Sequence, residues 1–259
     1  MEIPTAFLLT LPWAMFVATL LWLASLVVRD ASIIDRFWGL GFVAVAFSYV
    51  PRVGLPDTRG RLLLLLVTLW GVRLSAHIIW RNWGRGEDRR YKAMRETWGR
   101  RFPIVSLFNV FHLQAVLLWL ISAPLFVATQ SQAPAPLVWS DAWGAALVLI
   151  GLYFETVADY QLAAFKADPR NEGKVLHSGL WRYSRHPNYF GDFLVWWGFF
   201  ALAQGRPNSM WAIVSPLIMS FLLLKVSGVT LLERDLQRSK PDYRHYTDKT
   251  NAFFPWFPR

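Results

Sequence analysis

Cysteine is absent from the 259-residue chain. That excludes disulfides, thiolate nucleophiles and thiolate metal sites, and says nothing about redox compartment. Also missing are a G-x-G-x-x-G turn, a G-x-x-x-x-G-K-[ST] phosphate loop and any His/carboxylate set at metal-ligand spacing. A soluble-type nucleotide fold is therefore not expected, nor is a metal. Charged residues are scarce, 17% against 54% hydrophobic. No internal repeat or low-complexity segment occurs, and "SQAPAPLVWSD" is the one Pro-rich linker.

What is present is apolar and gathered into runs: mean hydropathy is +0.29, with 15 Trp and 19 Phe. The pattern is that of an integral membrane protein rather than a soluble domain with a large core. The opening stretch "TAFLLTLPWAMFVATLLWLASLVV" has no positive residue before it and no small-x-small cleavage site after it, so it reads as a retained first span. A window of about 20 residues predicts an all-α protein. Its seven spans run over 6 to 28, 37 to 51, 61 to 80, 104 to 129, 141 to 164, 189 to 204 and 209 to 232.

The net charge of +10 raises nucleic acid as a partner, but the cations lie between spans. With the N-terminus outside, the inside segments 29 to 36, 81 to 103, 165 to 188 and 233 to 259 hold 2, 8, 5 and 6 Lys/Arg, or 21 of 27. Arg52, Arg59, Arg61 and Arg206 fall outside, and Arg73 and Lys225 within spans. Positive residues accumulate on the cytoplasmic side, so the charge predicts an outside N-terminus and a cytoplasmic C-terminus. Nucleic acid is not expected as a partner; membrane lipids are.

Topology does not explain the polar groups beside and inside the spans. In "YFETVADYQLAAFK", Glu155, Asp159, Leu162 and Lys166 share a helix face with two carboxylates and a cation. Carboxylates in a span are kept away from lipid, which makes this face a packed ion-pair surface or a polar cavity wall. In "WGVRLSAHIIWRN", Arg73, His77 and Arg81 share another face.

The densest stretch is "WRYSRHPNYFGD", ahead of "FLVWWGFFALA". Pro187 suits the first turn of a helix, and His186 before it is pushed out of the helical region, so a helix starts near Pro187. Asn188 and Asp192 then lie one turn apart, and Gly191 allows close approach of a neighbour or a ligand. Arg182, Arg185 and His186 at the helix N-terminus suit an anion such as phosphate, leaving Asp192 for a hydroxyl or amide. The basic, aromatic tail "LLERDLQRSKPDYRHYTDKTNAFFPWFPR" is either a membrane-surface tail or a flap over this helix start that adds Arg244, Tyr246 and Asn251.

Two stretches, "ADYQLAAFKADPRNEGKVLHSGLWRYSRHPNYFGDFLVWWG" and the tail "SGVTLLE...Y..Y...TNAFFPWFP", resemble the bacterial branch of the steroid 5-alpha-reductase-like family over roughly the C-terminal 110 residues. The resemblance implies a single membrane domain over 1–259, in the bacterial inner membrane. It further implies a substrate-side half over 1–103 and a half over 104–259 that binds NADPH from the cytoplasm. It implies hydride transfer to a carbon-carbon double bond conjugated to a ketone, in a steroid or other lipophilic enone. Residue by residue it carries over to Glu155, Asp159, Lys166 and Asn188, with Asp192 in place of the family's Glu. Tyr183, Arg185, His186 and Tyr189 join them around NADPH, with Lys225 and Glu233 on the same side. The family's ketone-holding Tyr, aligned on His77 and Arg81, becomes Ile78. Asp35 in "DRFWGLGF" is then the nearest carboxylate, with His77 or Tyr91 as second donor.

Reduction of an enone needs a nicotinamide held at the β carbon, a donor at the ketone oxygen and exclusion of water. Asp35 with His77 is expected at the carbonyl. Arg81, Arg85, Arg89 and Arg90 in "RNWGRGEDRRY" are phosphate candidates, and a 2'-phosphate favours NADPH over NADH. A monomer is expected. The main rival is an S-adenosylmethionine-dependent methyltransferase of the isoprenylcysteine or phospholipid type, which also carries an R-H-P-x-Y-x-G segment. The stripe of Glu155, Asp159 and Lys166, with Asn188 and Asp192, favours the reductase. A lipid binder or small transporter predicts paired repeats with broken helices, which the sequence lacks.

Overall fold

The computed structural model describes residues 5–53, 55–130, 136–226, 229, 233, 236 and 243–258. Much of the "SQAPAP" linker, the end of the seventh predicted span and part of the tail before Tyr243 lie outside the described residues. Among the described residues every regular element is helical. The principal helices are α1 (Thr10–Val28), α2 (Trp38–Val53), α3 (Thr58–Asn82), α4 (Arg89–Trp98) and α5 (Leu113–Ile121). They are followed by α6 (Trp139–Ala167), α7 (Pro187–Ala203), α8 (Val214–Phe221) and α9 (Tyr243–Lys249).

Five helical stretches are long and apolar enough to cross a membrane: Thr5–Val28, Thr58–Asn82, Arg89–Ile121, Trp139–Ala167 and Ser209–Val226. The chain is a multi-pass membrane protein. The other two predicted spans fall on shorter helices, α2 with its apolar part Trp38–Pro51 and the 17-residue α7. The fourth predicted span differs most. Its helix begins inside the expected 81–103 loop, at Arg89, because Asp88 caps it by accepting from Arg90 N at 2.9 Å. α4 ends at Trp98, where Gly99 takes a φ of 49°; the helical stretch resumes and ends at Ile121, and a separate short helix, Ala123–Thr129, follows with a proline in its first turn. Pro124 has no N–H to continue the ladder.

Two compact units result, Met1–Leu137 with Ala203–Ala212, and Val138–Leu202 with Ile213–Arg259.

In the first unit α2 and α3 cross at glycines: a Cβ on Gly39 would stand 2.3 Å from the Gly71 carbonyl oxygen. Leu40 N donates to Ser75 Oγ at 3.1 Å one turn further on. Around them pack Phe42 and Trp70, both fully buried. Charge is also buried here. Arg206 donates to Asp57 Oδ1 at 2.7 Å and to the Ala128 carbonyl at 3.1 Å, while Arg59 donates to the Gly205 carbonyl at 2.7 Å. Asp57 additionally caps α3 by accepting from Gly60 N. Burial raises the Asp57 carboxyl, but the Gly60 N–H, Arg206 and Arg59 outweigh it and hold it below the ordinary carboxylate range.

In the second unit α6 and α7 lie antiparallel with glycines seven residues apart on each helix, Gly144 against Gly198 and Gly151 against Gly191. A Cβ at Gly151 would stand 2.5 Å from the Gly191 carbonyl oxygen. Of the two sequence readings of Gly191, close approach of a neighbour or of a ligand, the structure supplies the neighbour. Small residues let backbones meet where lipid provides no hydrophobic drive.

Candidate functional site

In the first unit the chemistry gathers on Asp35. Its short helix Ile33–Arg36 is tied to the segment before α4: Ala31 N donates to Glu87 at 2.8 Å and Asp88 N to Ser32 Oγ at 3.2 Å. Glu87 is held in turn by Arg95 at 2.7 Å. This sets Asp35 against α4, where Tyr91 Oη donates to Asp35 Oδ1 at 2.8 Å and Arg90 to Oδ2 at 2.9 Å. From α5, Gln114 Nε2 donates to Asp35 Oδ1 at 3.4 Å and to Tyr91 Oη at 3.3 Å. Burial pushes the Asp35 carboxyl up, and Arg90, Tyr91 and Gln114 offset this only in part.

Gln114 also lines an apolar cavity of about 520 Å³ walled by α1, α2 and α5, among them Trp13, Leu21, Phe37, Trp38 and Leu118. Among the described residues no charged side chain lines it. Its size is that of a small-molecule pocket. Gln114 therefore joins a dry, lipid-compatible space to a hydrogen-bonded carboxyl and phenol. Sequence reading missed Gln114, although a lone amide inside "FHLQAVLLWL" is the kind of polar intrusion that marks function in a span. His77 is half-buried on α3, its ring 6.0 Å from that of Trp80. Arg81, Arg85 and Arg89 are exposed, and Arg81 reaches Asn82 at 3.4 Å.

In the second unit α7 begins at Pro187, as the proline requires. Asn188 Nδ2 donates to Asp159 Oδ1 at 3.1 Å, linking α7 to α6. Asp159 and Glu155 are both buried, and Glu155 lies against Gly191. Asp192 is half-buried on α7. The rings of His186 and Tyr189 stack at 5.6 Å. Lys166 at the end of α6 is exposed and lines a separate cavity with Asp168 and Asn171. Lys225 is exposed in the π-helical turn Leu222–Val226.

The tail folds onto the segment that precedes α7. Tyr246 donates to the Trp181 carbonyl, Ser184 Oγ to that of Phe253 at 2.7 Å, and Trp256 N to that of Tyr183 at 3.0 Å. Arg185 pins the arrangement: its N donates to the Asn251 carbonyl at 2.9 Å and its Nη1 to the carbonyls of Thr247 and Thr250. Its Nε donates to Glu233 at 2.7 Å, and His186 Nε2 stands 3.2 Å from the same oxygen. The Arg185 guanidinium is thus engaged with the protein's own acceptors. Arg182, Tyr183 and Arg244 are exposed.

Burial raises the Glu233 carboxyl, but the hydrogen bonds from His186 and Arg185 prevail and hold it below its ordinary 4.5. A depressed carboxylate contributes stability that is complete above the unfolded value and is lost as pH falls through the folded one. Tail docking is therefore expected to be pH-independent above about 4.5 and to loosen below it. Amide hydrogen exchange at Arg185 and Trp256, corrected for its intrinsic pH dependence, should lose protection as pH falls through that window in the native protein. In Glu233→Gln, protection should already be low at neutral pH. A Glu233→Gln protein as protected as the parent would remove Glu233 from the clamp.

Residues 21–250 match the family described as "Protein of unknown function (DUF1295)". An uncharacterized protein of Schizosaccharomyces pombe is 26% identical over 278 aligned positions, covering 96% of this chain and 79% of its own length. A probable O-methyltransferase of Ustilaginoidea virens is 39% identical over 64 positions, 25% of this chain and 22% of its own. No solved structure matches.

Proposed function

Because the chain belongs to the DUF1295 family, we propose that it shares the reductase chemistry implied by its resemblance to the steroid 5-alpha-reductase-like proteins. It is an NADPH-dependent enzyme that reduces a carbon-carbon double bond conjugated to a ketone in a lipophilic substrate. It spans the bacterial inner membrane seven times, α2 and α7 included, with its C-terminus in the cytoplasm. The observation that carries the reading is the Asp35–Tyr91 hydrogen bond joined through Gln114 to an apolar cavity.

The substrate's hydrocarbon body occupies that cavity, which excludes water from the reacting carbons. Asp35 accepts the Tyr91 O–H at rest and, with Gln114, keeps the phenol beside the cavity. Tyr91 then turns its own O–H to the ketone oxygen and stabilises the enolate charge as it develops. Arg90 holds Asp35 in place from the opposite oxygen. NADPH, when bound, would supply the hydride to the β carbon; the enolate oxygen takes the Tyr91 proton, the enol tautomerises to the ketone, and the phenolate is reprotonated from solvent. The residues of the second unit fit such a cofactor: Asn188 and Asp159 offer amide and carboxylate to ribose or carboxamide, and the His186–Tyr189 stack offers an aromatic face.

One observation favours a second reading, the local likeness to a probable O-methyltransferase, which supports an S-adenosylmethionine-dependent methyltransferase. A single titration separates the two. Energy transfer from tryptophan to bound nicotinamide is followed in detergent, with NADPH, NADH and S-adenosylmethionine in parallel. We expect saturable NADPH binding, weakened at least about tenfold in Asn188→Ala. Tyr91→Phe should bind NADPH normally and lose about 10²- to 10³-fold in turnover of an enone lipid. Silence with NADPH, together with thermal protection by S-adenosylmethionine, would overturn the reductase.

A further inference from the structure

The second unit contains a larger, polar cavity of about 930 Å³. Lys174, His177 and Arg182 line it from the segment between α6 and α7, and His245 and Lys249 line it from α9. No carboxylate is among its described lining residues, while Ser178 adds a hydroxyl. Asp168 lines the smaller cavity, is bound to Arg170 at 2.7 Å and also feels the Lys174 ammonium, so it offsets part of the charge from one side.

Positive-inside topology explains why cations occur in these segments, but not why two segments distant in sequence turn them toward one space. The convergence is enforced by the fold. The tail is fastened by Arg185 to the Thr247, Thr250 and Asn251 carbonyls and by Tyr246 to the Trp181 carbonyl, which brings α9 against residues 174–182. Like charges gathered this way repel one another, and an anion relieves the repulsion. Lysine and arginine together with hydroxyl donors are the groups that bind phosphate oxygens. The volume is that of a drug-sized organic ligand rather than a bare ion.

We propose that this cavity binds the phosphate group of an organic phosphate through Lys174, Arg182 and Lys249. Two sources share that chemistry: the phosphate of a nucleotide and the headgroup of an anionic phospholipid. Naming the nucleotide as NADPH, with its 2'-phosphate here, rests on the reductase reading; the phosphate chemistry does not. S-adenosylmethionine carries a sulfonium cation and no phosphate, so a wall of basic groups does not suit it. Four of the five basic residues, Lys174, His177, His245 and Lys249, stood outside the sequence-based candidates; the fifth, Arg182, was read with Arg185 and His186 as suiting a phosphate, beside Arg81, Arg85, Arg89 and Arg90 of the first unit.

The test uses the full-length protein in phosphate-free detergent and in nanodiscs of phosphatidylcholine with or without phosphatidylglycerol. Adenosine 2',5'-bisphosphate, 5'-AMP and inorganic phosphate are titrated calorimetrically against the parent, Lys174→Gln, Lys249→Gln and the double variant. Lys174 and Lys249 are exposed, so thermal unfolding in ligand-free detergent should be unchanged and binding losses interpretable. We expect the bisphosphate to bind with a steep salt dependence and to weaken about tenfold in each single variant. Stabilisation by phosphatidylglycerol nanodiscs alone, lost in the double variant, would support the cavity and assign its phosphate to lipid. Equal affinity of the parent and double variant for every phosphate probe would overturn the proposal, as would binding of none. NADPH that binds parent and double variant equally would remove the nucleotide from this cavity and leave the reductase reading intact; a failure of NADPH in the titration above sinks that reading by itself.

Discussion

Asp57→Ala is expected to destabilise the first unit by about 3–5 kcal/mol, because it leaves the buried Arg206 guanidinium without its carboxylate. Two interactions are lost together, the ion pair at 2.7 Å and the cap on Gly60 N. Asp57→Asn separates them, since an asparagine still caps a helix N-terminus but carries no charge, and the cap is worth only about 1 kcal/mol. Most of the loss should therefore persist in Asp57→Asn. Replacing both partners, Asp57→Leu with Arg206→Met, should recover much of it, since a buried ion pair exchanged for apolar side chains is often neutral. Thermal unfolding in detergent, with Arg61→Gln as an exposed control, measures each. A fall in Tm for Asp57→Ala no larger than the control's would mean that Arg206 finds another acceptor. Gly205 explains why the site is tight: a Cβ there would stand 2.2 Å from Arg59 Cζ.

The second large effect concerns a substitution that ordinarily stabilises. Glycine inside a helix costs about 1 kcal/mol relative to alanine, so Gly191→Ala on an isolated α7 would be favourable. Here the added Cβ would stand 2.6 Å from the Gly151 carbonyl oxygen and 2.8 Å from Glu155 Cγ and N. Two of these atoms are backbone and cannot swing aside, so the helices must separate. Overpacking of this kind costs about 1–3 kcal/mol. The sign of the change is thus reversed, and Gly191→Ala should lower Tm. The Asp159–Asn188 bond at 3.1 Å ties the same two helices, so on the proposed reductase function NADPH affinity should fall as well. Ala164→Val, on the exposed face of α6, serves as control and should change stability by less than about 0.5 kcal/mol. A Gly191→Ala protein more stable than the parent would show that α6 and α7 are not in contact at this level.

The membrane class, the helical elements and the start of α7 at Pro187 were legible in the sequence, because each depends on neighbours along the chain. Apolar runs report how long a helix is, and proline acts on the residue before it and on the bond it cannot make. The fourth span was legible only in part: the cap at Asp88 and the break at Pro124 are local signals, but apolar content outweighed both. Asp35 and Tyr91 were each identifiable as candidates through the resemblance, one as the nearest carboxylate and the other, beside His77, as a second donor. Their hydrogen bond at 2.8 Å was not, since 55 residues separate them.

What only the tertiary structure decided are the arrangements made by residues far apart: Gln114 between a cavity and a carboxyl, Asp57 against Arg206, Gly151 against Gly191, and Lys174 beside Lys249. A lysine in a loop has the same composition whether it faces lipid headgroups or a cavity, and positive-inside topology accounts equally for both. Direction comes from the packing of one helix on another and from hydrogen bonds such as those of Arg185 to the tail carbonyls. Periodicity along a chain carries no record of which distant segment those bonds will select, and that selection is where the chemistry of this protein was assembled.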